Sequence, residues 1–191
     1  MSGTGQTRSY FTGQLLVAMP NMPDPRFAKT VIYMCAHSEE GAMGLVVNRL
    51  AEELSFPDLL CQVGLEGVEV RRSIEVHFGG PVESGRGFVL HSTDFEQDGT
   101  MMVDDGVALT ASVDMLKEIA EGGGPGNCLL ALGYSGWGPG QLDQEIQGNG
   151  WLNVAADADL VFGRDLESKW EKAIAKIGVD PSMLSSTAGR A

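Results

Sequence analysis

The sequence from Thr30 to Asn48 reads TVIYMCAHSEEGAMGLVVN and carries the clearest secondary-structure signal in the chain. Its first part, Thr30 to His37, is rich in the β-branched and aromatic residues that favour strands. The run from Met43 to Asn48 has the same character, and a short glycine-containing segment separates the two runs. The pattern predicts two strands joined by a short turn, which is a β-hairpin.

Further segments of strand and helix character lie beyond the hairpin. Four further segments have the composition and length of strands, namely residues 74–78, 87–91, 107–110 and 128–132. Apolar spacing and capping residues predict helices over residues 55–64, 112–121, 141–147 and 165–177. We expect the glycine-rich residues 133–140 to form a loop. Because strands and isolated helices are mixed without regular alternation, the sequence predicts an α+β fold on a largely antiparallel or mixed sheet.

The length of 191 residues corresponds to about one domain. We expect that domain to span residues 11–184, with flexible ends at residues 1–10 and 185–191, because both ends are rich in small or polar residues. The first apolar run, Leu15 to Met19, stops at Pro20 and is too short for a signal peptide or a membrane span. The sequence therefore predicts a cytoplasmic protein that does not enter a membrane.

The charge balance excludes several classes of partner. Thirteen basic and 26 acidic residues leave a net charge of −13, which repels phosphate backbones and anionic lipid surfaces. We therefore expect no direct contact with nucleic acid or membrane. Cys35, Cys61 and Cys128 are widely separated, which is typical of a reduced, cytosolic chain. Cys35 and His37 are only two ligands, and no nucleotide-binding glycine motif is present, so we expect neither a metal nor a cofactor.

The segment Gly133-Tyr-Ser-Gly-Trp-Gly138 resembles the turn that presents a nucleophilic serine between a strand and a helix. That pattern needs glycine where Trp137 stands. All three histidines precede Ser135, whereas in the hydrolase order the histidine follows the serine. The favoured interpretation is a tight glycine turn that positions Trp137, and a hydrolase that uses Ser135 is an alternative.

Polar and aromatic residues around this segment form a candidate binding surface. Gln141 and Glu145 are four residues apart and would share one helical face beside Trp137. The alternative is that Glu145 is solvated and that Gln141 caps a backbone group. If folding brings the hairpin close, the hypothesis is a binding surface, with no assigned catalytic residue, formed by His37, Asn48, Ser135, Trp137, Gln141 and Glu145.

Several sequence blocks in one order are similar to the AlgH/YqgE family of small bacterial proteins. These blocks are residues 13–20, 24–27, 30–37, 41–49, 79–82, 86–91, 132–137 and 140–152. The sequence departs from the family pattern at Arg49-Leu50, where the family often has a basic residue followed by proline.

The resemblance implies one domain with a barrel-like, largely antiparallel sheet flanked by helices, and it implies no established reaction. Some family members are labelled transcriptional regulators, but the net charge and the lack of a basic recognition helix disfavour direct DNA binding. We therefore expect a binding or regulatory module for a protein or a small ligand. A transcriptional regulator, acting indirectly or directly, is the alternative that the family label implies. The oligomeric state does not follow from the sequence.

Overall fold

The predicted hairpin lies near the middle of a nine-stranded sheet in the computed structural model, which describes residues 10–178. The strands of that part of the chain are β1 (Gln14–Ala18), β2 (Val31–Ser38), β3 (Gly41–Val46), β4 (Val76–Phe78), β5 (Val82–His91), β6 (Met101–Asp104), β7 (Val107–Thr110), β8 (Cys128–Trp137) and β9 (Trp151–Ala155). The helices are α1 (Phe56–Gln62), α2 (Val113–Ala120), α3 (Gln141–Gln147), α4 (Ala158–Phe162) and α5 (Lys169–Lys176).

The sheet is a curled half-barrel in which the strand order is β6-β7-β5-β8-β3-β2-β1-β9. All pairings along this path are antiparallel, and β4 adds a parallel pairing with β8. Strand β8 joins the two halves of the sheet. Its residues 128–132 and Tyr134 pair with β5, whereas residues 135–137 pair with β3. The predicted α+β class with a largely antiparallel sheet is confirmed.

Helices cover both faces of the sheet. The largest apolar cluster contains side chains from strands near both sheet edges together with α4 and α5, so it fills the concave face. On the opposite face, α1 and α2 cover the side chains of β4, β5 and β8. Helix α3 packs near the β1–β3 half through Leu142, beside Trp137 and Trp151. Within residues 10–178, no helix is long and apolar enough to cross a bilayer.

Local sequence signals placed several elements correctly. The Ser55 hydroxyl accepts the amide of Asp58 and the Asp58 carboxylate accepts the amide of Ser55, which is a capping box at the start of α1. Ser112 caps α2 by accepting the amide of Met115. Helix α3 begins at Gln141 and ends at Gln147, as predicted.

Three predicted boundaries are wrong. Strand β5, predicted to begin at residue 87, begins at Val82, because Val82 already pairs with Tyr134 of β8. Residues 133–137, predicted as loop, continue β8, because the strand passes from its β5 pairing to its β3 pairing there. The last helix begins at Lys169, four residues later than predicted, because residues 166–168 form a turn after α4. The predicted flexible ends, 1–10 and 185–191, lie outside the described residues except for Tyr10.

Candidate functional site

Three of the predicted site residues meet at the end of β8. The Trp137 indole Nε1 donates to Glu145 Oε1 over 3.3 Å, and Gln141 Nε2 donates to Glu145 Oε2 over 3.0 Å. Trp151, which the sequence did not single out, donates its Nε1 to the same Glu145 Oε1 over 3.1 Å. The two indole rings contact each other edge to face, with centroids 6.1 Å apart.

The polar groups of Trp137, Gln141, Glu145 and Trp151 hydrogen-bond to one another or to the backbone. The Glu145 carboxylate accepts three hydrogen bonds, and Gln141 Oε1 accepts the Gly138 amide at 3.0 Å, so Gln141 caps a backbone group. Trp137 is buried, whereas Glu145 is half-buried. The arrangement anchors α3 to β8 and β9 and leaves few polar atoms directed toward a ligand.

We expect Glu145→Ala to destabilise the protein by about 2 kcal/mol, because it leaves two largely buried indole N–H groups without an acceptor. The measurement is urea unfolding followed by tryptophan fluorescence. Gln144→Ala, on the same helix and exposed, is the matched control and should change stability by less than about 0.5 kcal/mol. Equal losses in the two variants would contradict this role of Glu145.

His37 lies beside α3 but is held by other contacts. Its Nδ1 accepts the Phe11 amide at 3.1 Å, and its ring stacks on Phe11 and meets Tyr10 edge-on. That hydrogen bond fixes the proton of the neutral ring on Nε2, which lies 3.9 Å from Asp143 Oδ1. Burial lowers the pKa of His37, and the Asp143 carboxylate partly opposes the shift. His37 therefore links Tyr10 and Phe11 to Asp143 of α3.

Asn48 lies at the other end of the hairpin. Its Oδ1 accepts the Val31 amide at 3.0 Å, and its Nδ2 donates to the Lys29 carbonyl at 2.9 Å. Because Val31 and His37 are six residues apart on β2, Asn48 is roughly 20 Å from His37 along the strand. Asn48 secures the turn before β2 and does not contribute to a surface with Trp137.

Ser135 is buried within β8, and its hydroxyl donates to the Gly79 carbonyl at 3.3 Å. The three histidines make their ring hydrogen bonds with other groups, namely the Phe11 amide, the Leu130 carbonyl, the Ser92 carbonyl and the Thr110 hydroxyl. The segment is a continuous strand rather than the sharp turn that exposes a nucleophile. Among residues 10–178, no base contacts the Ser135 hydroxyl, and its burial keeps it away from a substrate.

A groove of about 560 Å³ opens at the mouth of the half-barrel, next to Trp137. We call it the mouth groove, and its apolar lining is formed by Met43, Phe88, Met101, Leu109, Tyr134 and Trp137. Together with Ala36 of β2, which also lines the groove, these residues come from six strands, namely β2, β3, β5, β6, β7 and β8. Mouths of barrel-like sheets are common ligand sites, and this volume lies within the usual range for such sites.

Charged side chains stand at the rim of the mouth groove. Glu40 and Glu83 supply carboxylates, and Arg86 lies 3.6 Å from Glu83 and over the Phe88 ring, 5.1 Å from its centroid. One of the two carboxylates is thus paired with the single guanidinium. The rim keeps a net negative charge above an apolar floor.

Together, the fold and these contacts define a small α+β protein that has a curled, mainly antiparallel sheet and an open groove at its mouth. The chain belongs to the AlgH-like family, whose model matches residues 15–182. It is 56% identical over 192 residues to a UPF0301 protein of Rhodopseudomonas palustris, covering 96% of this chain and 90% of the relative. It is 54% identical over 182 residues to a UPF0301 protein of Rhodospirillum rubrum, covering 95% of each.

Solved structures agree with this assignment. The solution structure of AlgH from Pseudomonas aeruginosa matches with a TM-score of 0.80 at 40% identity, over 97% of this chain and 98% of that chain. A crystal structure of a Corynebacterium diphtheriae protein matches with a TM-score of 0.70 at 20% identity, over 91% of both chains, and shares the fold alone. The family resemblance and the barrel-like sheet expected from it are confirmed.

Proposed function

We propose that this protein is a protein-binding module, which holds an extended segment of a partner in the mouth groove. The observation that carries the proposal is the groove itself, where six large apolar side chains from five strands surround an open space of about 560 Å³. The proposed segment carries apolar side chains together with lysine or arginine. A regulatory role would then act through a protein partner rather than through DNA.

The shape of the mouth groove favours a peptide over a small molecule. Small ligands usually have most of their surface enclosed by their pocket, whereas this groove is open along one side. The groove reaches β6, an edge strand of the sheet whose Met101 and Met102 are 43% and 52% exposed. An edge strand can add an extended peptide by backbone hydrogen bonding, with alternate side chains directed to one face.

Charge complementarity favours a basic segment. The rim has two carboxylates and one arginine, and the whole chain carries −13. A cationic partner is attracted at long range, and its basic side chains can meet Glu40 and Glu83. We place this interaction in the cytoplasm, which the three separate, unpaired cysteines support.

The test is selection from a displayed library of random heptapeptides, followed by fluorescence anisotropy with labelled synthetic copies of the selected sequences. We expect the selected peptides to combine alternate apolar residues with lysine or arginine. Met101→Lys should weaken their binding at least about tenfold, because it removes an apolar contact and repels a basic peptide.

Val70→Lys is the matched control, since Val70 is similarly exposed at 38% and does not line the groove. Both variants add one positive charge at an exposed position. Equal weakening by the two variants, or selection of acidic peptides, would contradict the proposal. Stabilisation by a small metabolite, lost in Met101→Lys, together with no selected peptide would assign the groove to a small ligand instead.

A further inference from the structure

A second cavity lies at the opposite end of β8 from the mouth groove. It has a volume of about 340 Å³ and opens between the start of β8, the chain that leads into β4, and the segment after α4. We call it the arginine cleft, and the residues that matter for its chemistry are Arg72, Ser73, Glu75, His77, Asn127 and Arg164. Cys128 of this cleft and Tyr134 of the groove are about 20 Å apart along β8.

The charge of the arginine cleft contrasts with the rest of the molecule. Two arginines, Arg72 and Arg164, and one carboxylate, Glu75, line it, which leaves a positive balance in a chain of −13. Behind the lining, the buried ammonium of Lys169 is close enough to act on His77, whose pKa is lowered first by burial and further by that charge. A concave site with a net positive charge concentrates anions.

Arg72 forms a rigid wall of the cleft. Its guanidinium donates to the carbonyls of Pro125 at 2.7 Å and Gly126 at 3.2 Å, and it lies 3.4 Å from the Cys128 sulfur. These contacts hold the loop before β8 and use the terminal nitrogens, whereas the Nε–H makes no hydrogen bond within residues 10–178. The charge of Arg72 is therefore fixed in place next to the cavity.

Three other lining side chains have unused donors. In the part of the chain that the structure describes, the guanidinium of Arg164, the hydroxyl of Ser73 and the side-chain amide of Asn127 make no hydrogen bond or ion pair. His77 is oriented by its Nδ1, which lies 3.1 Å from the Leu130 carbonyl and so carries the proton of the neutral ring. Donors from three separate segments thus surround one space.

We infer that the arginine cleft binds a phosphate group, either on a small molecule or as the free ion. Arginine and several neutral donors match the multiple acceptor oxygens of a tetrahedral phosphate better than the two oxygens of a carboxylate. The cleft volume leaves room for an attached organic group of small size. This inference does not depend on the peptide proposed for the mouth groove.

The test is a titration of the full chain, followed by amide NMR spectra, with glycerol 3-phosphate, inorganic phosphate and acetate at matched ionic strength. We expect saturable shifts of the amides of Gly126, Asn127 and Gly163 with both phosphates, and tighter binding of glycerol 3-phosphate. Arg164→Ala should weaken phosphate binding about tenfold, which corresponds to one charge-assisted contact. Because Arg164 is exposed and its side chain makes no hydrogen bond or ion pair in the described residues, this variant should fold normally.

Arg71→Ala is the control, since Arg71 is exposed, lies 3.5 Å from Glu69, and does not line the cleft. Its affinity for phosphate should equal that of the parent chain. Equal affinity for the two phosphates would support phosphate recognition and identify the free ion as the ligand. Acetate shifts as large as those with phosphate, no saturable shift, or equal weakening by Arg71→Ala and Arg164→Ala would overturn the inference.

Discussion

Gly80→Ala is expected to prevent stable folding, with a loss of more than about 4 kcal/mol. A Cβ at Gly80 would lie 2.1 Å from the Tyr134 carbonyl carbon and 2.3 Å from the Ser135 nitrogen, and the glycine has a φ of +156°. Both neighbouring atoms belong to the backbone of β8, which is paired with β5 and β3 on either side of this point. The clash therefore cannot be relieved by a side-chain rotation, and the sheet would have to separate.

Chemical unfolding monitored by circular dichroism measures the effect of Gly80→Ala. Gly67→Ala is the matched control, because no atom lies within 4 Å of its Cβ position. That variant should stay within about 0.5 kcal/mol of the parent chain or gain slightly from the reduced freedom of the unfolded state. A Gly80→Ala protein with a cooperative transition within about 1 kcal/mol of the parent would show that β4 and β8 can separate at little cost.

The same close approach explains why the sequence misled at residues 133–137. Glycine is depleted in strands, so a run with Gly133 and Gly136 predicts a loop. In the structure, Gly133 has a φ of +72°, and its Cβ position would lie 2.4 Å from the Gly80 carbonyl oxygen. Glycine is needed there because two backbones meet, which is a tertiary requirement that a local pattern cannot show.

Elements with strong local signals were predicted well. The hairpin, α1, α2 and α3 each have a composition or a capping residue that acts within a few positions of the chain, as Ser55 does for α1. Strands β1, β6 and β9 were not predicted. Strands β1 and β9 pair with each other across most of the chain, which a local pattern cannot show, whereas β6 pairs with β7 across the turn at Asp105-Gly106, a local signal that was missed.

The candidate site could be predicted only in part. Trp137, Gln141 and Glu145 are close in sequence, and the helical spacing brought them together correctly. Asn48 was placed wrongly, although an antiparallel hairpin with its turn next to His37 returns the second strand to the start of β2, where Asn48 meets Val31. The mouth groove has lining residues from six strands, so no single stretch of sequence carries a signal for it.

Lys169 is a further residue that its sequence position does not reveal, because a lysine beside Trp170 on a short helix would be expected to reach solvent. It is 2% exposed instead, and its Nζ donates to the carbonyls of Val47 and Val161, each at 2.9 Å. Burial lowers the pKa of Lys169 from 10.5 to about 8, and the Asp159 carboxylate opposes part of that shift. The ammonium thus connects α4 and α5 to the end of β3.

Lys169→Ala is expected to destabilise the protein by about 2 kcal/mol near pH 7, because it leaves two buried carbonyls without a donor and creates a cavity. Part of this loss is offset, because the variant no longer buries a charge. Its cost should grow with pH. The unfolded chain binds more protons than the folded chain between the folded pKa of about 8 and the unfolded value of 10.5. The unfolding free energy that Lys169→Ala removes therefore grows between these pH values, and at about pH 10.5 it is about 3 kcal/mol larger than near pH 7.

The measurement is urea unfolding of the parent and variant at several pH values from about 7 to 10.5, analysed as the difference between the two. The parent is compared with the variant at each pH because burial also raises the pKa of Tyr33 and of Cys35. The folded chain holds the protons of these two groups more tightly, so they lower the free energy of unfolding as pH rises. Their contributions are common to both proteins and cancel. Lys172→Ala, exposed on the same helix, should change stability by less than about 0.5 kcal/mol at every pH. A Lys169→Ala cost that stays constant across this range would show that the buried amine keeps its proton as readily as an exposed lysine does.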